Sequence, residues 1–164
     1  MNPGGPTREQ VMAAMLAAAS AAANFKTVSR RVVLAPSSAG TPVPATPALQ
    51  PALYLLEDNE QTIQKTHGAP WKRLWRVQLW VWAQIPNGAT PGVPDVTIPG
   101  GAVINPLLES IETVFQPDSV EYGVFTLGGL VERCWIEGTT VKITGDLNPD
   151  GQCLAIVPVS ILVP

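Results

Sequence analysis

Arg73-Leu74-Trp75-Arg76-Val77-Gln78-Leu79-Trp80-Val81-Trp82-Ala83-Gln84-Ile85 reads as one long β-strand. Trp75, Val77, Leu79, Val81, Ala83 and Ile85 take every second position, with Arg76, Gln78, Trp80, Trp82 and Gln84 between them. Successive side chains of a strand point to opposite faces, so the first set faces a core and the second faces away. Trp80 and Trp82 therefore fall on an otherwise polar face. Two readings account for them. Another part of the chain covers them, or a second subunit does, since aromatic residues anchor interfaces.

Upstream, Thr7 and Gln10 have the spacing of a capping box. Val11, Met12, Met15 and Leu16 recur at helical spacing behind them, which predicts a helix over 8–23. The alanine-rich run 11–23 superficially resembles a signal peptide. Its front end carries only Arg8 beside Glu9 rather than a basic region, so the helix is the reading taken. Residues 26–34 read as a strand rich in β-branched residues. Residues 35–48 hold Pro36, Pro42, Pro44 and Pro47, a density that predicts an irregular loop or arm. Residues 49–56 read as a strand with a late start or an edge position at Pro51. The polar run 57–70 reads as a turn region closing on His67-Gly68-Ala69-Pro70.

Downstream, residues 86–101 form a second loop with Pro86, Pro91, Pro94 and Pro99 and the turn pair Asn87-Gly88. Asn105 and Pro106 suit the N-cap and first position of a second helix ending before Pro117. Leu107, Leu108, Ile111, Val114 and Phe115 form its apolar stripe, flanked by Glu109 and Glu112. Strands follow at 129–136, 139–144 and 153–163, with a turn at 145–151. Pro158 demands a bulge or an unpaired edge in the last strand. The expected fold is α+β: a largely antiparallel β-sheet with two helices packed on one face.

With 164 residues, the chain fits one domain, 1–164. Hydrophobic residues make up 46% and charged residues 14%, against roughly 25% charged in an average chain, so general disorder is excluded. A net charge of −3 argues against general nucleic-acid binding, which needs a basic footprint. No run is long and apolar enough to span a membrane. Cys134 and Cys153 fall on strands and read as buried thiols, with a disulfide left open.

Chemistry-bearing patterns are sparse. His67 is the single histidine and has no fixed partner in sequence. Glu57, Asp58 and Glu60 lack the alternating oxygen ligands and glycine of a calcium loop and read as a solvated acidic turn. There is no phosphate-binding glycine loop, no dinucleotide fingerprint and no cofactor signature. Neither catalytic, cofactor-binding nor metal residues are expected, and the chain is not expected to be an enzyme.

Charge placement says more. Residues 61–94 carry Lys65, Lys72, Arg73 and Arg76 as their only charged side chains, and residues 95–121 carry Asp95, Glu109, Glu112, Asp118 and Glu121. Such complementary stretches suit head-to-tail contacts between identical subunits, which close into rings when the rotation allows. The alternative is a solvated scatter of charge.

The element order, together with Asn105-Pro106-Leu107-Leu108, Thr126-Leu127-Gly128-Gly129-Leu130-Val131, Cys134-Trp135-Ile136-Glu137-Gly138, Gly145-Asp146-Leu147 and Ala155-Ile156-Val157-Pro158-Val159, resembles the tail terminator (tail-completion) proteins of tailed bacteriophages. The loop at 35–48 looks expanded relative to compact members. The resemblance implies a structural virion protein at the head-proximal end of the tail, assembled in the host cytoplasm. It implies a homo-oligomer, a hexameric ring, whose partners are the tail tube protein and the head-side connector or stopper. Another neck ring protein, an adaptor or stopper, and a soluble non-enzymatic binding module are the alternatives. The expected subunit-interface residues are Trp80, Trp82 and Arg76 on the long strand, with Lys72 and Arg73 set against Glu109 and Glu112.

Overall fold

Thr7 caps the first helix as its spacing predicts. Its hydroxyl accepts the Gln10 backbone N–H at 3.2 Å, and Gln10 Oε1 accepts the Thr7 N–H at 2.8 Å. The computed structural model describes residues 5–32, 34–35, 43–44, 47–63, 71–119, 123–145 and 151–164. His67, Lys65, the Gly68-Ala69-Pro70 turn, Glu121, most of the first proline loop and the turn residues 146–150 lie outside them. In chain order the elements are α1 (Arg8–Ser20), β1 (Thr27–Ser29), β2 (Leu34–Ala35), β3 (Val43–Pro44), β4 (Ala52–Ile63), β5 (Lys72–Gln84), α2 (Gly100–Val114), β6 (Arg133–Ile136), β7 (Val141–Ile143) and β8 (Gln152–Val163).

One six-stranded sheet runs β1-β4-β5-β8-β6, with β7 also on β8. Among the described residues only β1 pairs in parallel, with β4; the other ladders of this sheet are antiparallel. The α+β fold with a largely antiparallel sheet is therefore as expected. The alternation of β5 is realised: Trp75, Val77, Leu79, Val81, Ala83 and Ile85 are all buried in one core. Val11, Met12, Met15 and Ala19 of α1 join that core, as do Ile104, Leu107, Leu108 and Ile111 of α2, so both helices cover the same sheet face. The opposite strand face carries a second, smaller cluster of Ala52, Tyr54, Trp82 and Leu154.

Four local expectations are corrected. The second helix begins at Gly100, not Asn105, with Pro99 at its N-cap and Pro106 inside it. Gly100 allows the early start: a Cβ there would lie 2.0 Å from the Thr144 carbonyl oxygen and 2.7 Å from Cys153 Sγ, so only glycine lets the helix approach β8 this closely. The polar run after Leu56 is strand rather than turn. β4 continues to Ile63 because β5 pairs with it from Trp82 down to Lys72, around a bulge between Glu57 and Asn59. The first predicted strand shrinks to three residues, and the proline loop contains the two-residue ladder of β2 with β3.

Pro158 causes no bulge and falls on an unpaired stretch of β8, between its ladders with β6 and β7. Its register with Gln78 is regular on the β5 side. Its carbonyl accepts the Glu137 N–H at 3.1 Å on the other side. The N–H and C=O of a residue in an antiparallel strand point the same way. The missing donor therefore faces the break between β6 and β7, where the ladder has no bond to lose.

Candidate interaction surfaces

The expected interface residues divide into engaged and available groups. Trp82 is 1% exposed and lies in the smaller cluster with Ala52, Tyr54 and Leu154, so its own chain already covers it. Trp80 is only partly buried, and its Nε1 donates to Gln78 Oε1 at 2.8 Å. Coverage by the same chain is thus met at Trp82 and only in part at Trp80.

Lys72 Nζ donates to both carboxylate oxygens of Glu132, at 2.5 and 2.7 Å. Arg73 Nη2 donates to the Pro6 carbonyl at 3.0 Å, and its guanidinium lies 5.3 Å from the Trp75 ring centroid. Both cations therefore have partners in their own chain and are not brought to Glu109 or Glu112. Arg76 is exposed, as are both glutamates on α2. Glu57 and Glu60 pair with Arg30 and Arg8 at 2.8 Å each, which ties α1 and the β1 region to the bulged part of β4. The acidic run is an ion-paired strand segment rather than a solvated turn.

Sheet register extends the tryptophan face sideways. Tyr54, Trp80, Ile156 and Val141 lie directly opposite one another across β4, β5, β8 and β7. Ala52, Trp82, Leu154 and Ile143 form the adjacent row. Directly paired residues share a face, so the two rows make one apolar band. The band is buried at Tyr54 and Trp82 and opens toward Val141 and Ile143, which are 46% and 38% exposed. β7 pairs only with β8 among the described strands, so the band reaches a sheet edge.

On the helix side of that edge, a groove of about 380 Å³ lies between α2 and the β6–β7 segment. Leu108, Ile111, Ile136 and Val157 give it apolar walls, while Glu109 and Glu112 stand on the helix rim and Lys142 on the strand rim. Lys142 Nζ donates to Asn105 Oδ1 at 3.1 Å. Sequence reasoning placed the two glutamates on a helix flank but did not find the groove, which exists only once β7 folds back on β8. It also passed over Trp71, 59% exposed where β5 begins, and Val96, 96% exposed in the second proline loop. Neither sits in a sequence pattern that marks an exposed apolar side chain.

The Thr126-Leu127-Gly128-Gly129 segment is held from below by Asp118. The carboxylate accepts the Thr126 N–H at 2.7 Å, the Thr126 hydroxyl at 2.8 Å and the Gly128 N–H at 2.8 Å. Leu127, Gly128 and Gly129 all have positive φ, at 52°, 71° and 85°. Desolvation raises the Asp118 pKa, but these hydrogen bonds outweigh it and leave the carboxyl below its ordinary range. The arrangement is a self-contained loop clasp.

Cys134 and Cys153 are both buried thiols. Burial, then the Asp118 charge, pushes the Cys134 thiol up to about 12, so it is protonated and unreactive at neutral pH. No group of three or more His, Cys, Asp or Glu side chains is placed to hold a metal among the described residues. No helix is long and apolar enough to cross a membrane among them. The sequence matches no protein-family model and no curated protein.

Proposed function

We propose that this chain is a ring-forming structural protein of a tailed bacteriophage, of the tail terminator type. It caps the head-proximal end of the tail tube, ends tube growth and offers a surface to the head-side connector. The role asks for a rigid frame, lateral contacts between identical subunits and projecting segments for the neighbouring rings.

The observation that carries this reading is the apolar band from Trp80 through Ile156 to Val141 and Ile143, which ends exposed at an open sheet edge. A contiguous apolar patch at an edge marks a protein contact, because it costs solubility in an isolated chain. The loop bearing Val96, 96% exposed, is the segment that this role would use to reach a neighbouring ring. The sequence resemblance in α2, the Asp118-clasped loop, β6 and β8 supports the same assignment.

Cryo-electron microscopy of tailed particles containing the protein tests the assignment by location. A single ring of its density on the head-proximal end of the tube is the expected result. Density elsewhere in the neck would make it an adaptor or stopper, and absence from particles would overturn a virion role.

A further inference from the structure

We infer that the β1 edge of one copy docks against the α2–β7 groove of the next, through opposite charges at opposite ends of the sheet. This inference rests on the ring reading and names the surfaces that would build it. β1 and the β6–β7 pair stand at the two ends of the strand order. Lys26 and Arg31 flank β1, both exposed, and neither has an ion pair among the described residues. At the far end, Glu109 and Glu112 rim the groove, exposed and likewise without ion pairs among the described residues.

The chain's other cations argue by elimination. Arg8, Arg30 and Lys72 are each bound to a carboxylate of their own chain, and Arg73 is held by Pro6 and Trp75. Arg76 and Arg133 sit on the outer strand face, Arg76 on central β5 and Arg133 on terminal β6, where it stacks 4.8 Å from the Trp135 ring centroid. Lys142 stands on the groove's own strand rim, where it donates to Asn105, which leaves Lys26 and Arg31 as the cations at the β1 end among the described residues. A contact between different patches of identical subunits is heterologous, and it closes into a ring when successive copies meet end to end with a fixed rotation. Among the described strands, β1 pairs only with β4 and β7 only with β8, so each of these three-residue strands leaves a short open ladder. The apolar groove walls supply the desolvated centre, and the charges fix direction and register.

Charge reversal with mixing tests it. One variant is Glu109→Lys with Glu112→Lys; the other is Lys26→Glu with Arg31→Glu. Each alone would place like charges at every subunit contact. Mixed in equal amounts, they can alternate, with opposite charges at every contact. Sedimentation velocity on wild type, each variant and the mixture is the measurement. The expected result is a wild-type oligomer, a shift of on the order of tenfold or more toward dissociation in each variant, and recovery in the mixture. Recovery also shows that both variants are folded. A wild-type oligomer unaffected by either variant, or one not restored by mixing, would overturn this interface while leaving the ring. A wild-type monomer at every concentration would overturn the ring and the interface with it.

Discussion

Asp118 Oδ2 accepts the backbone N–H of Gly128 at 2.8 Å, closing a ten-residue excursion between α2 and β6. The same carboxylate holds Thr126 twice, so three left-handed residues in a row are fixed by one side chain. Asp118→Asn removes the charge from those hydrogen bonds. Discounted for solvent exposure, the loss is about 1 kcal/mol at pH 7. Because the folded-state pKa is depressed, the charge stabilises the fold above the unfolded value of about 4. That stability is lost as pH falls through the folded value. Urea denaturation at pH 7 and at pH 3 checks this: the gap between wild type and Asp118→Asn narrows at the lower pH. An equal gap at both would remove the charge from the account.

Gly100 and Gly101 are neighbours with opposite expectations. Gly100→Ala drives a methyl into the Thr144 carbonyl and destabilises the fold by about 2 kcal/mol or more. At Gly101 the nearest atom to an added Cβ is Asn105 Nδ2 at 3.8 Å, an ordinary contact. Gly101→Ala gains helix propensity there and stabilises by up to about 1 kcal/mol. Thermal melts of the two single variants should move in opposite directions. A neutral Gly100→Ala would mean the helix does not start where it is placed.

The two outward tryptophans separate stability from association. Trp82→Ala empties a buried site and costs about 3–5 kcal/mol of folding stability. Trp80→Ala costs less, because its side chain is only partly buried, and its effect falls mainly on self-association. The pair is resolved by measuring the denaturation midpoint and the oligomer mass of each variant. Equal losses of stability would contradict the difference in burial.

Both thiols should be silent in the native protein. Cys134 and Cys153 are buried thiols, so a thiol reagent at pH 8 titrates neither until denaturant is added, and then titrates both. Rapid labelling of either in the native state would place it on the surface.

Much of the frame was legible because binary patterns record which side of an element meets the core. The alternation of β5 and Leu107, Leu108 and Ile111 of the α2 stripe entered the larger core as read, while Phe115 only packs against it and Val114 stays outside. The misses came where distant chain decides local structure. Asn105-Pro106 has the chemistry of a helix start, yet the helix begins at Gly100 because β8 and Thr144 admit it there. The polar stretch from Glu57 to Ile63 is strand because β5 runs beside it, and its charges are matched by Arg8 and Arg30 from α1 and the β1 region. Period-two patterning assigned Trp82 to the outer face correctly, but no local pattern says whether a face is covered. Lys72 was placed on a charged stretch, yet its partner, Glu132, lies 60 residues away and had to be found in the fold.

Native mass spectrometry of the purified protein across concentration, with and without magnesium, tests the central claim most directly. The account predicts a species of six times the chain mass that grows with concentration at the expense of the monomer. A monomer at every concentration, or a twofold species that never grows further, would contradict it.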